Sequence, residues 1–304
     1  MKTDAAKVID SLCPVCGARE AVVFLEGADH TLDSSEFGSS RKKIEHGRIL
    51  RCKKCRFGFS QFRPSDEQLS SLYRKMDNEV YDQELPGRRK TAQRHLRLLQ
   101  SYAGDKPGHL LDVGCASGLL LKGAADAGWT VTGVEPSEVF FTKAHAMVGS
   151  QGTVMHGTLQ EVNLPDRAFD AETVWDVLEH VQQPVEFLQL CASKLKPGGH
   201  LLVNVPNLDS ASARLLGKRW PLFLAEHLNY FNPASLRTLA AKVGLTEVKM
   251  GQRPASFSLS YLFYRLAQHN IPGTPLSHRI IQKSPLKHST VPVLLGEVYV
   301  VWKR

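Results

Sequence analysis

From residue 109 onward, apolar and polar positions fall into two alternating patterns. Short apolar runs occupy 109–113, 130–134, 153–156, 169–175 and 200–205. Between them, 118–127, 137–147 and 185–195 carry apolar residues three or four positions apart. Short unbroken apolar runs are what strands buried on both faces require, and the 3.6-residue period marks helices laid on them. The alternation therefore predicts an α/β fold, a parallel sheet wound with helices on both faces. Further on, the pattern predicts a helix over 233–243 opened by a Ser N-cap, a strand from Leu245 to Met250 led by Gly244, and a loosely alternating stretch, Leu294 to Trp302, as an antiparallel seventh strand. The aromatic-rich segment Ser256 to Leu266 reads as helix.

Upstream the pattern weakens. Residues 64–104 read as a helical connector: Ser65 is a helix N-cap with Gln68 three positions on, Pro86-Gly87 interrupts the chain, and Ala92, Leu96, Leu99 and Tyr102 then recur at helical spacing. Tyr73 and Tyr81 in this connector lie within reach of a ligand, although helix packing accounts for both. In residues 1–63 only Ala21 to Leu25 and Arg48 to Leu50 suggest strands, and Ser34, Ser35, Gly38, Ser39 and Ser40 suggest a loop between them.

The cysteines change that picture. Cys13-Pro-Val-Cys16-Gly and Cys52-Lys-Lys-Cys55-Arg-Phe-Gly place two C-x-x-C pairs in one short segment. Each pair presents two thiolates on a tight turn, with Gly17 and Gly58 supplying loose backbone, and two such turns complete a tetrahedron. The spacing predicts a zinc-ribbon-like module with structural Zn²⁺ on Cys13, Cys16, Cys52 and Cys55. A redox pair stands singly at a helix start beside a βαβ unit.

Composition is that of a soluble globular chain, with 42% hydrophobic and 22% charged residues among 304. No apolar run is long enough to span a bilayer and the first residues lack the apolar core of a signal peptide, so the expected compartment is the cytoplasm. The net charge of +8 sits at the ends. Residues 1–63 hold 12 basic against 8 acidic residues, 64–252 hold 19 against 21, and 253–304 hold 7 against 1. Basic ends suit phosphate, in nucleic acid, a nucleotide-sugar or anionic lipid, and they serve solubility equally well.

The candidate chemistry centres on His109-Leu-Leu-Asp-Val-Gly-Cys-Ala-Ser-Gly118. An apolar run enters a turn of small residues, Gly114, Ala116 and Gly118, and a helix leaves it. Such a turn lets backbone approach a ligand, and a helix N-terminus favours anionic groups. Asp112, inside the apolar run, costs free energy unless it pairs. The turn lacks the G-x-G-x-x-G of dinucleotide sites. It resembles motif I of class I S-adenosylmethionine-dependent methyltransferases, D-x-G-x-G-x-G, with Ala116 in place of the middle glycine. Glu135 ends the second strand 21 positions after Gly114, where an acid takes both hydroxyls of a ribose.

Two later stretches carry the resemblance further. Phe169-Asp-Ala-Glu-Thr-Val-Trp-Asp-Val-Leu-Glu-His-Val and Leu195-Lys-Pro-Gly-Gly-His-Leu-Leu-Val-Asn-Val-Pro-Asn are similar to motifs IV and V of the group that includes ubiquinone O-methyltransferases. The resemblance spans residues 109–250. It implies a Rossmann-like seven-stranded methyltransferase sheet over 105–304 with a substrate lid around 207–235, and S-adenosylmethionine as cofactor. It also implies cofactor contacts from Asp112, Gly114, Ala116, Gly118, Glu135, Trp175 and Asp176. Thr158 and Leu159 take the adenine positions, through backbone groups because the commoner Asp is missing.

Methyl transfer to a hydroxyl or an acidic C–H needs a base, and a histidine of near-neutral pKa provides one. His180 follows the fourth strand and His227 lies in the lid, so each is a candidate. A packed, backbone-bonded histidine is the plainer reading of both. The pairing of a zinc module with this domain resembles bacterial methyltransferases of polysaccharide, deoxysugar and natural-product pathways, which implies a small metabolite or (nucleotide-)sugar acceptor methylated on O or C. Two other readings remain: an RNA methyltransferase whose basic zinc module holds RNA, and a non-catalytic zinc-ribbon scaffold keeping a vestigial cofactor fold.

Overall fold

The computed structural model describes residues 8–27, 46–65, 67–69, 71, 81–82, 84–103, 107–268 and 274–304. Tyr73 and the serine-rich stretch 34–40 lie outside them.

Four short strands open the chain: β1 (Val8–Asp10), β2 (Glu20–Leu25), β3 (Ile49–Cys52) and β4 (Gly58–Ser60). They form an antiparallel meander. Two tight turns flank β2 and β3 with the same hydrogen bonds: Gly17 N to Cys13 O (2.9 Å) and Cys13 N to Ala18 O (2.8 Å) in one, Arg56 N to Cys52 O (3.0 Å) and Cys52 N to Phe57 O (2.9 Å) in the other. Both turns close on a left-handed residue, Gly17 at φ 75° and Arg56 at φ 62°. Gly58, expected to loosen the second turn, lies instead in β4. The turn closes on the fourth residue after its first cysteine, and in the second turn that residue is Arg56.

The connector helix α1 spans Leu85–Tyr102 and takes Pro86 into its first turn, where the missing N–H has no partner to lose. Pro86-Gly87 thus starts the helix rather than breaking the chain. Ser65 and Gln68 make the expected reciprocal capping bonds, Gln68 N to Ser65 Oγ (3.2 Å) and Ser65 N to Gln68 Oε1 (2.8 Å).

The body then winds as β5 (His109–Val113), α2 (Leu119–Asp126), β6 (Thr130–Glu135), α3 (Glu138–Val148), β7 (Gly152–His156), β8 (Phe169–Trp175), α4 (Pro184–Lys194) and β9 (Leu195–Pro206). A short helix α5 (Ala211–Leu216), strand β10 (Asn229–Tyr230), helix α6 (Pro233–Lys242) and β11 (Thr246–Gly251) follow. The helix α6 is capped by Asn232, with Ser235 as its capping-box partner; the Ser expected at the cap sits three residues inside. Next, β12 (Ala255–Ser258) pairs with β13 (Thr290–Val293), and α7 (Leu259–Gln268) and α8 (Thr274–Lys283) lie between them. The segment 256–266 is therefore strand first and helix after. The last strand is β14 (Glu297–Lys303).

Seven strands form one sheet in the order β11-β14-β9-β8-β5-β6-β7. β14 alone runs opposite to the other six, pairing antiparallel with β9 and β11. Successive strand residues point to opposite faces, and the two cores follow that rule. Leu111, Val203, Val205, Val298, Val300 and Trp302 join one core with α4 and α6. Leu110, Leu202, Tyr299 and Val301, their immediate neighbours, join the other with α1, α2 and α3. The first core continues into the N-terminal meander through Cys13, Val15, Phe57 and Phe59, which pack with Phe231 and Leu236. Moreover, β10 pairs with β4 and becomes the fifth strand of the meander's sheet. Among the described residues, no helix is long and apolar enough to cross a membrane.

Candidate active site

The carboxyl ends of the parallel strands gather the candidate residues, as an open α/β sheet requires. After β5 the backbone turns through Gly114 (φ 75°), Ala116 (φ 46°) and Gly118 (φ 78°), three left-handed residues at alternate positions. A Cβ on Gly114 would stand 2.5 Å from Val177 Cγ2. Gly114→Ala therefore combines a strained φ with an overlap, and costs about 2 kcal/mol or more. We expect a melting temperature lower by roughly 5 °C and loss of any ligand held by this turn, both checked on the purified variant by thermal denaturation and calorimetry.

Glu135 closes the turn. Its Oε2 accepts the Ala116 N–H (2.9 Å) and its Oε1 the Ser137 N–H (2.8 Å). The side chain is buried, and burial pushes its pKa up to about 7 despite those two bonds. Each oxygen keeps a second lone pair for an incoming hydroxyl. Ser137 caps α3 independently, accepting from Phe140 N, so Glu135 is not needed there. Asp112 lies in β5 opposite Gly133 and Thr173, and Thr173 Oγ1 donates to it (2.7 Å). Burial raises Asp112 to about 7 as well. That hydrogen bond is its partner in the low-dielectric sheet. The Cys115 thiol is pushed up by burial and by both acids.

Beyond β7, Thr158 is half-buried with its N–H held by Glu161 Oε2 (2.8 Å), and Leu159 is buried in the core. Tyr81 reaches the turn from the connector: its hydroxyl meets Ser117 Oγ (2.9 Å), its ring packs on Phe140, and the Arg88 guanidinium lies 3.8 Å over its centroid. Arg88 Nε is buried without a hydrogen-bond partner.

A second group sits over β8, β9 and β14. Trp175 stacks on His95 of α1 with centroids 3.9 Å apart. Asp176, at φ 57°, accepts from Asn204 Nδ2 (2.8 Å). Asp176 stays solvent-accessible at the cleft floor, yet the surrounding low-dielectric walls raise its pKa. Asp176, Asn204, His95 and Glu297 line a cavity of about 40 Å³ with Arg94 and Arg253. That is room for one hydroxyl-sized group. The two arginines are turned onto protein acceptors, Pro254 O, Ser256 Oγ and Arg94 O. Burial and these two cations pull His95 down to about 3, and burial lifts Glu297 to about 8.

The candidate bases meet each other. His180 and His227 are edge to face with centroids 4.8 Å apart. His180 Nδ1 bonds Glu226 O (3.0 Å) and His227 Nδ1 bonds Leu222 O (2.9 Å). A carbonyl only accepts, so Nδ1 carries the proton in both rings and Nε2 holds the lone pair. Burial depresses both pKa values, His180 to about 4, so both are neutral at pH 7. Glu179 and Glu226, both buried, stand beside them; burial raises both carboxyls, and Asp176, Glu297 and Glu226 raise Glu179 further. One ligand atom each from Glu179, His180 and His227 lie within 4.8 Å of one another, a spacing that suits a cation.

In the N-terminal meander, the sulfurs of Cys13, Cys16, Cys52 and Cys55 cluster within 4.8 Å, with Cys13–Cys55 at 3.6 Å and Cys16–Cys52 at 3.5 Å. A tetrahedral zinc with bonds near 2.3 Å separates its sulfurs by about 3.8 Å, so the cluster fits that ion. The hydrogen bond from Cys55 lowers Cys13 to about 5 and pushes Cys55 up correspondingly. Were all four ionised at this spacing, only a cation could offset their mutual repulsion.

His95, Arg88, Asn204 and Glu297 were not singled out from the sequence. Asn204 alone had a local signal, an amide inside the apolar run Leu201 to Val205. The others come to the cleft from α1 and β14, far away in the chain.

Residues 82–249 match the family model for a methyltransferase domain. The chain is 32% identical over 152 residues to the ubiquinone biosynthesis O-methyltransferase of Vibrio parahaemolyticus, covering 46% of this chain and 64% of that one. It is 34% identical over 143 residues to the mitochondrial ubiquinone biosynthesis O-methyltransferase of Schizosaccharomyces pombe, covering 45% and 49%. It thus spans about half to two thirds of the curated relatives it matches. A crystal structure of a SAM-dependent methyltransferase from Thermotoga maritima superposes with a TM-score of 0.52 at 20% identity, covering 77% of this chain and 99% of that chain. The shared fold is all that this last likeness carries.

Proposed function

The chain belongs to the methyltransferase-domain family, and from that premise we propose that it binds S-adenosylmethionine at residues 112–118 and 135 and methylates a small-molecule or sugar acceptor. The observation that carries this reading is Glu135, a buried carboxylate held by two backbone N–H groups at the rim of a left-handed turn. Its remaining lone pairs suit the two hydroxyls of a ribose, while Gly114, Ala116 and Gly118 leave backbone open to the rest of the cofactor. Thr158 and Leu159 border the adenine side, although the Thr158 N–H already serves Glu161.

When bound, S-adenosylmethionine supplies an electrophilic methyl group. The protein's own residues then align the acceptor and remove its proton. Trp175 and Asp176 form the floor where donor and acceptor meet. Asp176, Asn204 and Glu297 hold one hydroxyl group of the acceptor. His227 and His180, neutral with Nε2 as the basic atom, are the bases we assign, although burial holds both below the near-neutral range expected of such a base. Excluding water from these buried imidazoles keeps them unprotonated between turnovers. We assign a structural Zn²⁺ to the four cysteines, and the cytoplasm as compartment.

The test is titration calorimetry of nucleic-acid-free protein with S-adenosylhomocysteine. Micromolar binding supports the reading; no binding by folded protein moves the weight to a scaffold role, and tight retention of RNA through purification moves it to an RNA acceptor.

A pH dependence follows. Glu135 is raised from the usual carboxylate range to about 7 by burial. In the free protein such a group contributes stability that is complete below the unfolded pKa and is lost as pH rises through about 7. Ribose hydroxyls prefer the ionised form, so binding has the opposite sign. Affinity for S-adenosylhomocysteine should rise about tenfold between pH 6 and pH 8. Calorimetry across that range checks it, and a flat profile would remove Glu135 from the ribose site.

A further inference from the structure

Beside the β4–β10 pairing and the shared core, one guanidinium of the N-terminal meander reaches the loops that carry the two histidines. Arg63 stands three residues past β4 and enters between two loops. Its Nη1 donates to Leu228 O (3.1 Å). Its Nη2 donates to Val181 O (3.2 Å), to Asn229 Oδ1 (3.1 Å) and to Gln182 O. Asn229, fully buried, ties the same loops together by donating Nδ2 to Leu178 O (3.0 Å) and Val181 O (2.7 Å). The N–H groups of Leu228 and Asn229 both reach Glu179 O, at 2.8 and 2.9 Å. From the meander, Ser60 N adds a bond to Leu228 O (2.9 Å).

These two loops are the ones that carry the histidines. Val181 follows His180 and Leu228 follows His227, so the guanidinium is bonded one residue beyond each imidazole. A planar five-donor fork reaches carbonyls on two segments at once, which a lysine ammonium on its single axis does not reproduce. Its hydrogen bonds are charge-assisted and partly buried, where they resist rotation more than in water. Burial lowers Arg63 only to about 10, so it stays cationic at neutral pH.

We propose that Arg63 is a positioning residue of the acceptor site: from the cysteine-bearing module it sets the relative placement of His180 and His227. The proposal rests on the reading of those two histidines as acceptor-facing groups. It makes the module part of the active site's framework rather than an appended anchor. Without Arg63, the Leu228, Val181 and Gln182 carbonyls lose their shared donor, and the loops keep only the Asn229 and Glu179 bonds between them to fix the spacing of the two imidazoles.

The experiment uses the full chain labelled with ¹⁵N-histidine, with and without Arg63→Ala. Long-range ¹H–¹⁵N spectra report the tautomer and surroundings of each ring. Metal content and S-adenosylhomocysteine affinity are measured in parallel. We expect the His180 and His227 ring signals to shift or broaden in Arg63→Ala. The metal should stay bound and cofactor affinity should hold within about twofold, because none of the Arg63 hydrogen bonds is to a residue assigned to the cofactor. Arg63→Lys, or guanidinium ion added to Arg63→Ala, should return the signals part of the way. Wild-type ring signals in Arg63→Ala overturn the proposal. So does joint loss of ring signals, metal and cofactor binding, which makes Arg63 a general brace. If Arg63→Ala does not fold, Arg63→Gln, uncharged and without the fork, carries the test on the same criteria. Failure of the wild-type chain to bind S-adenosylhomocysteine counts against the cofactor site alone and leaves the ring comparison standing.

Discussion

Cys13→Ser is expected to release the metal and to melt the N-terminal meander. The four sulfurs already sit where a tetrahedral ion needs them. A serine hydroxyl stays protonated at neutral pH and is a poor ligand beside three thiolates. Structural zinc contributes on the order of 10 kcal/mol in small modules, and that contribution is folding free energy. The meander has little else: four strands of three to six residues, with Cys13, Cys52 and Cys55 themselves part of its buried core. The damage should not stop at residue 63. Because β10 is the fifth strand of the same sheet, hydrogen exchange should rise over 226–231 as well as over 8–25 and 49–60. The central strands β5, β6 and β8 should keep their protection, since their hydrogen bonds lie wholly within the seven-stranded sheet. Mass spectrometry giving one metal per chain in the variant would falsify the four-cysteine assignment.

Glu135→Ala should weaken S-adenosylhomocysteine by about 30-fold, the equivalent of about 2 kcal/mol for two charge-assisted hydrogen bonds. The structure adds a second route to the same loss. Ala116 and Ser137 would each lose the acceptor of their N–H, and the left-handed turn would lose its tether to β6. Glu135→Gln separates the two routes. The amide keeps one acceptor oxygen and nearly the same shape, so it should retain more affinity than alanine. Both variants should lose the Glu135 share of the rise in affinity between pH 6 and pH 8, leaving only what Asp112, also raised to about 7, contributes. Unchanged affinity in Glu135→Ala, or a pH slope in Glu135→Gln as steep as in the wild type, sinks the assignment.

Which parts of the site were legible from the chain follows from distance along it. Asp112, Gly114, Ala116 and Gly118 form one strand-turn-helix, and Glu135 ends the adjacent strand, so their juxtaposition shows in a window of 24 residues. The four cysteines announced themselves by spacing. His180 and His227 were each nominated alone, and only the folded chain shows their rings in contact. Local details slipped where a neighbour outranked the obvious residue: Arg56 rather than a glycine takes the left-handed position, and Asn232 rather than serine caps α6.

Legible along the chain alone were the alternation of strands and helices, the small-residue turn after β5 and the cysteine pairs. Each rests on steric and hydrogen-bonding rules that act within a few residues, through side-chain period, turn φ or ligand spacing. Tertiary structure decided the rest. It drew β10 into the meander's sheet, sent Arg63 to carbonyls more than a hundred residues away, and brought His95 and Glu297 to one cavity. Those contacts depend on which surfaces are buried together, and burial is a property of the packed whole that no local pattern encodes.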